Sequence, residues 1–258
     1  MMQTHKTRVA VVTGGTTGIG LATAKRLLNA GHRVAIFSQR RESVTTACKV
    51  LESEYPTQCV LARTVDLADV SAIRSFFEEV EREWGTPDIL VCNAGISPKG
   101  PNGAVEFSGI TLDEWNAVLT VNLTGTMLCC QAVGPGMMKN GFGRIILLGS
   151  VAARTRPKIA GASYVASKAA LAGLTKALIE PYSPSGITIN LVAPGRILTG
   201  MTGSHEAPAN QEALSRIPIG RLGEPDDVAA VIEFLASENA GFINGAVIDV
   251  NGGEVAPT

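Results

Sequence analysis

The sequence predicts an α/β fold: one Rossmann-type, doubly wound parallel sheet of about seven strands with helices on both faces. Three observations predict it. Short β-branched runs alternate with helical stretches along most of the chain, the pattern of a parallel sheet with right-handed crossovers. The first such run, Arg8 to Val12, passes directly into Thr13-Gly14-Gly15-Thr16-Thr17-Gly18-Ile19-Gly20 and then into a helical pattern. No Pro/Ser-rich linker or low-complexity tract interrupts the 258 residues, so residues 1–258 read as a single nucleotide-binding domain.

The first helix runs from about Gly18 to Ala30 and stops at Gly31. Strand, glycine turn and helix together make a phosphate-binding loop. Glycines let the backbone approach a pyrophosphate, and the helix N-terminus offers free N–H groups. The second strand, Arg33 to Phe37, is followed by Ser38-Gln39-Arg40-Arg41. In dinucleotide folds this strand end faces the adenosine ribose, where a carboxylate binds the 2′-hydroxyl and basic groups accommodate a 2′-phosphate. A hydroxyl, an amide and two arginines at this point predict NADP(H) in preference to NAD(H).

A helix over Glu42 to Glu54 and a third strand over Gln58 to Val65 lead to Asp66-Leu67. Asp69 is placed to cap the next helix, Val70 to Trp84. A fourth apolar run, Asp88 to Cys92, ends in Asn93-Ala94-Gly95. After a glycine-containing excursion from Gly100 to Gly109, Thr111-x-x-Glu114 reads as a capping box. One long helical pattern then continues towards Lys139, carrying Asn122, with Gly134-Pro135-Gly136 expected to kink or loosen its last part. The fifth strand, Arg144 to Leu148, delivers Ser150.

The next helix, about Ala162 to Ile179, carries Tyr164 and Lys168 one turn apart on one face, with Pro181 and Pro184 expected to end or bend it. A nearby ammonium favours the phenolate, so the spacing predicts a tyrosine tuned for proton transfer near neutral pH. A sixth strand, Ile187 to Val192, is followed by Ala193-Pro194-Gly195. Residues 196–219 have weak periodicity and are expected to form a lid. A helix from Glu224-Pro225 through Ala236 and a strand from Ala246 to Val250 complete the chain.

Composition narrows the function. A net charge of −1 disfavours nucleic acid as the main partner. The N-terminus carries no signal-peptide pattern, and no apolar run approaches a membrane span of about 18 residues. Cysteines 48, 59, 92, 129 and 130 lack paired metal spacing. They read as free, mostly buried thiols in a reducing cytoplasm, with no metal site expected.

Taken together the motifs resemble the short-chain dehydrogenase/reductases of roughly 250 residues, over Arg8 through Gly253. Thr13-Gly14-x-x-x-Gly18-Ile19-Gly20 matches the family's cofactor loop, so the resemblance implies cofactor contacts for Gly14, Thr16, Thr17, Gly18, Ile19 and Gly20. Asp66-Leu67 matches the pair beside the adenine, and Asn93-Ala94-Gly95 the motif that stabilises the central sheet. Pro194-Gly195-x-x-x-Thr199, with Ile197 between, matches the segment whose threonine contacts the nicotinamide carboxamide. Asn122, Ser150, Tyr164 and Lys168 fall where the family carries its catalytic tetrad. Ile217-Pro-Ile-Gly-Arg-Leu-Gly-Glu-Pro225 is similar to the 3-oxoacyl-acyl-carrier-protein reductases and their relatives.

The resemblance implies reversible hydride transfer between a nicotinamide and a ketone or secondary alcohol. Tyr164 is then the general acid, Lys168 the group that lowers its pKa and binds the nicotinamide ribose, and Ser150 the holder of the carbonyl oxygen. Asn122 positions a water linking Lys168 to solvent. A homotetramer, or a homodimer, is implied with it. The alternatives are an NAD-dependent alcohol, polyol or sugar dehydrogenase and a catalytically silent nucleotide-binding scaffold. Three departures stand out: an extra residue between Ser150 and Tyr164, Pro181 in place of a helix-compatible residue, and Thr17 where NADP-dependent members often carry a basic one. Arg154, Arg156 and Lys158, beside the substrate, suggest a preference for anions.

Overall fold

The structure is a computed structural model that describes residues 6–100, 103–157 and 159–256. Seven parallel strands form one sheet in the order β3-β2-β1-β4-β5-β6-β7. They are β1 Val9–Thr13, β2 Arg33–Ser38, β3 Val60–Thr64, β4 Ile89–Cys92, β5 Gly143–Leu148, β6 Ile187–Pro194 and β7 Val247–Val250. The helices are α1 Gly18–Asn29, α2 Arg41–Glu54, α3 Val70–Trp84, α4 Leu112–Leu119, α5 Gly125–Asn140, α6 Ala162–Tyr182, α7 Pro208–Leu214 and α8 Pro225–Ala236.

Both faces of the sheet are covered, which is why the strands read as continuous apolar runs. Successive residues feed opposite cores. Val9 and Val11 join one cluster with α3, α5 and α6, while Ala10 and Val12 join another with α1 and α8. Strand order reverses between β1 and β4, which pair in register from Ala10 with Ile89 to Thr13 with Cys92. A doubly wound sheet opens its ligand crevice at the carboxyl ends of the strands at such a reversal.

The helical pattern from Thr111 to Lys139 is not one α-helix. A π turn, Thr120–Thr124, separates α4 from α5 and carries Asn122. Such turns insert one residue and re-aim a side chain, and periodicity alone does not reveal them. Thr111 Oγ1 accepts from the Glu114 N–H at 3.1 Å. The Glu114 carboxylate accepts from Ser163 at 3.1 Å instead of closing the capping box, and so ties α4 to α6.

Pro135 lies inside α5, which nevertheless runs on to Asn140. A Cβ at Gly134 would overlap the Tyr182 phenol, so the glycine there serves close packing between α5 and α6. Pro181 sits in the last turn of α6, and the helix closes one residue later. The continuous helical run over 112–140 holds an 18-residue window with a mean hydropathy of 1.4, long and apolar enough to cross a membrane. That corrects the expectation that no stretch reaches this length. Here it buries Cys129, Cys130, Val133 and Met137 against the sheet, as a core helix does.

Candidate active site

The crevice at the strand ends has a volume of about 720 Å³. Its floor is the loop between β1 and α1. Gly14 adopts φ 62°, the left-handed region that favours glycine. Thr17 caps α1 without a side-chain hydrogen bond, and the first turn holds no acidic residue. The positive end of the helix therefore faces the crevice without a competing carboxylate. Gly20 lies beneath the loop rather than on its surface. A Cβ there would strike the Gly14 carbonyl and the Asn93 amide.

Asn93-Ala94-Gly95 locks this loop to β4. Asn93 Nδ2 donates to the carbonyls of Thr13 and Gly14, both at 3.0 Å, and the Ala94 N–H donates to Thr13 Oγ1 at 2.9 Å. At the far end, Ser38, Gln39 and Arg40 line the crevice with Asp66 and Leu67. Gln39 Nε2 donates to Asp66 Oδ2 at 2.9 Å, a bridge the sequence reading did not anticipate. Arg41 is the exposed first residue of α2 and does not line the crevice. Of the expected cofactor residues, Gly20 and Arg41 stand outside the lining; Gly14, Thr16, Thr17, Gly18, Ile19, Ser38, Arg40, Asp66, Leu67, Asn93, Ala94, Gly95, Pro194, Gly195, Ile197 and Thr199 are in it, as are Tyr164 and Lys168.

Tyr164 and Lys168 come from the first two turns of α6, and Ser150 from the end of β5. Ser150 caps the short turn Val151–Arg154 by accepting from the Ala152 N–H at 3.1 Å. Lys168 is buried, and its Nζ donates to the Leu148 carbonyl at 2.6 Å. That ammonium stands 5.9 Å from the centre of the Tyr164 ring. Burial pushes Lys168 down to about 8.

Burial also pushes the Tyr164 phenol up, and hydrogen bonding with Ser150 offsets part of that rise. The expectation of a lowered phenol pKa is thus reversed. An ammonium this deeply buried spends its charge on a carbonyl, and the cost of placing a phenolate among apolar walls prevails.

Asn122 is fully buried. Its Oδ1 accepts from the Ile96 N–H at 2.8 Å, and its Nδ2 donates to the Ile96 carbonyl at 3.0 Å and to Ser167 Oγ at 2.9 Å. Its amide therefore fixes the wall beside Lys168. Among the described residues no group of three or more His, Cys, Asp or Glu could hold a metal ion. All five cysteines are free, with Cys92, Cys129 and Cys130 buried.

A second cavity of about 350 Å³ adjoins the first, and Ser150, Tyr164, Pro194 and Gly195 line both. Arg154 is drawn away from it by both oxygens of Asp249 at 2.7 Å. Arg156 lines it, and Lys158 lies outside the described residues. Lys99 and Arg196 also line it, although the sequence reading assigned them no role. Arg196 was legible as the residue directly after Pro194-Gly195.

Residues 14–254 match a family model described as Enoyl-(Acyl carrier protein) reductase. The chain is similar to an acetoacetyl-CoA reductase of Shinella zoogloeoides, at 38% identity over 96% of this chain and 98% of that one. It is similar also to a 3alpha-hydroxysteroid dehydrogenase of Mediterraneibacter gnavus, at 34% identity over 98% of each. A solved 3-oxoacyl-[acyl-carrier protein] reductase of Brucella melitensis with bound NAD superposes with a TM-score of 0.89, at 33% identity over 98% of this chain and 93% of that one. A blue fluorescent protein from a metagenomic library, in complex with NADPH, superposes with a TM-score of 0.88, at 32% identity over 98% of this chain and 100% of that one. The chain belongs to the short-chain dehydrogenase/reductase family, and is an oxidoreductase that interconverts ketones and alcohols with a nicotinamide cofactor.

Proposed function

We propose that this protein is a cytoplasmic, homotetrameric carbonyl reductase that prefers NADPH, with Tyr164 as its general acid. The observation that carries this reading is that Ser150 and Tyr164 line the cofactor crevice and the adjoining cavity at once. A carbonyl bound between them has one face towards the crevice.

The crevice residues fit a dinucleotide. The uncapped start of α1 suits the pyrophosphate, and Thr199, Pro194 and Gly195 bound the nicotinamide end. When bound, the reduced nicotinamide supplies the hydride that adds to the carbonyl carbon. Tyr164 gives its proton to the carbonyl oxygen, so the ketone leaves as an alcohol. The raised phenol pKa keeps Tyr164 protonated at neutral pH, which suits reduction. Ser150 donates to the same oxygen and stabilises the charge that develops there. Lys168 holds the nicotinamide ribose and returns a proton to Tyr164. Asn122, by fixing Ile96 beside Lys168, positions the wall along which a water relays that proton.

Ser38 supports the preference for NADPH, because it leaves no carboxylate on the ribose side of β2. Arg40 lies on the lip of the crevice and suits a 2′-phosphate, since a guanidinium can donate two parallel hydrogen bonds. One such contact at about 4 Å contributes roughly 1–4 kcal/mol between water and an effective dielectric of 20. The expected preference is about tenfold to a few hundredfold in kcat/KM.

A carbonyl panel run with NADPH and NADH side by side tests both claims. Turnover with an NADPH preference that moves towards NADH in Ser38→Asp and Arg40→Ala is the expected result. A preference for NADH would make the protein the NAD-dependent alternative, and failure to oxidise either cofactor would leave a nucleotide-binding scaffold. Exposed Phe234, Phe242 and Val247 lie on or near α8 and β7 and support subunit pairing there. Sedimentation giving only a monomer at micromolar concentration would reject the tetramer.

A further inference from the structure

Among the described residues, the cavity of about 350 Å³ next to Tyr164 is walled by Lys99, Arg156, Arg196 and Arg216 and by a single carboxylate, Glu254. Glu254 is taken by Arg216, at 3.2 and 3.3 Å. That leaves Lys99, Arg156 and Arg196 without a carboxylate in ion-pair reach among the described residues.

Arg196 is held in place, and Lys99 stands loosely at the entrance. Arg196 is half-buried, and its Nε donates to Asn210 Oδ1 at 2.6 Å while Nη2 reaches the Thr202 carbonyl at 3.4 Å. Asn210 is itself completely buried, so the guanidinium is held in place and its Nη1 has no protein partner among the described residues. Lys99 stands at the rim, and its Nζ makes one long contact, 3.4 Å to the Ile159 carbonyl. Burial and the field of Arg196 both push the Lys99 ammonium down. Burial also pushes the Arg196 guanidinium down, and partly buried cations sharing one cavity are costly unless an anion arrives with the substrate.

We infer that Lys99 and Arg196 form a carboxylate site that selects a small free oxo acid whose ketone lies at Ser150 and Tyr164. The inference rests on the reductase reading and narrows its substrate. A carboxylate fits better than the phosphate of a thioester carrier, because the two cations share one small cavity with the groups that hold the ketone. In a carrier-bound acyl group the carbonyl is separated from the nearest phosphate by the whole pantetheine arm, and the position next to it is a neutral thioester. Arg196 is suited to the planar anion because its fork donates in a fixed geometry, and Lys99 adds a mobile charge at the entrance.

The test uses the full-length protein and initial rates with NADPH. The substrates are unbranched 2-, 3- and 4-oxo acids, the methyl ester of each, and the coenzyme A thioester of the 3-oxo acid. One acid should exceed its own ester by roughly tenfold to a hundredfold in kcat/KM, the worth of a charge-assisted hydrogen bond. Lys99→Met should lower that acid-to-ester ratio by about tenfold, mostly through KM, and Arg196→Gln should lower it similarly. Lys99→Met removes one long hydrogen bond, so it decides the matter even where Arg196→Gln fails to fold.

Esters or the thioester reduced as well as every acid, or a ratio unmoved by Lys99→Met, would overturn the inference. Calorimetric titration of the NADP⁺-loaded protein with the oxo acids and esters, pairs that cannot react, separates this failure from failure of the reductase reading. Were no carbonyl reduced, acid bound about tenfold more tightly than ester and weakened by Lys99→Met would still establish the site. Equal binding would dismiss it.

Discussion

Tyr164 and Lys168 on one side of the substrate cavity, and the segment from Arg196 to Leu222 on the other, are held in different ways. Around α6 the holding groups are main chain and apolar core: Lys168 donates to the Leu148 carbonyl, Asn122 clamps Ile96, and Leu171 is completely buried beneath. Across the cavity a few side chains carry the load. Asn210 bonds Arg196, Thr202 and Ser204, Thr202 bonds the Ile197 carbonyl at 2.7 Å, and a small cluster of Ala213, Ile217 and Leu222 lies below. The first arrangement keeps Tyr164 and Lys168 in one geometry. The second rests on few backbone ladders and is expected to open more readily than the sheet.

The largest effect should come from the rigid side. Tyr164→Phe keeps the ring and its packing but removes the proton donor. Turnover should fall by about 10²–10⁴-fold, with cofactor binding retained, because positioned proton transfer contributes that much. Binding of NADPH by fluorescence and steady-state turnover check it together. A variant with more than about a tenth of the parent rate would remove Tyr164 from the role of acid.

Rigidity at this site has a cost that pH can expose. Lys168 ordinarily titrates near 10.5 and is pushed to about 8 by burial. Between those values the unfolded chain binds a proton that the folded one does not, so stability rises with pH. The burial cost is fully present below pH 8, and is lost as the pH climbs to about 10.5. It amounts to about 3 kcal/mol. Other groups titrate in the same window, and the difference between the parent and Lys168→Met isolates this one. In denaturant melts the parent should gain on the variant from pH 8 upward; a constant gap would mean that the ammonium is solvated.

The same division decides what could be read from the sequence. Strand ends, the glycine loop and the Tyr164/Lys168 spacing were legible because each is a local requirement: a left-handed turn, a helix start, one helical turn. The π turn at Asn122 was hidden, since one inserted residue barely disturbs an apolar period. The direction of the Tyr164 pKa was misread for a related reason. Spacing shows which charge is near, whereas burial, set by β5, β6 and the helices around them, decides which effect prevails. Across the cavity, α7 lay inside a stretch expected to be irregular. It is seven residues long and opens on Pro208, too short for a period to show. Lys99 and Arg196 lie 97 positions apart in the chain and share a cavity only in the fold.

The smallest expected effect concerns the opposite side of the cavity, where residues 196–219 are proposed to act as a lid. Asn210→Ala removes the acceptor of Arg196 Nε and the donor to the carbonyls of Thr202 and Ser204. Asn210 is fully buried, so these groups lose their partner without gaining full access to water, at a cost of about 1–3 kcal/mol. That cost falls on local opening rather than on global unfolding, because α7 and its three-residue cluster are separate from the two large cores. Amide exchange in 196–219 should therefore quicken by roughly tenfold to a hundredfold in the variant, while β5 and β6 keep their parent rates. In the parent protein the same amides should slow when cofactor and a substrate analogue bind together, as a closing segment requires. Strong protection of these amides in the free parent, unchanged by ligands, would show the segment to be as fixed as α6. Quickening that spreads to β6 would show instead that Asn210 supports the whole fold, and the contrast between the two sides of the cavity would fail.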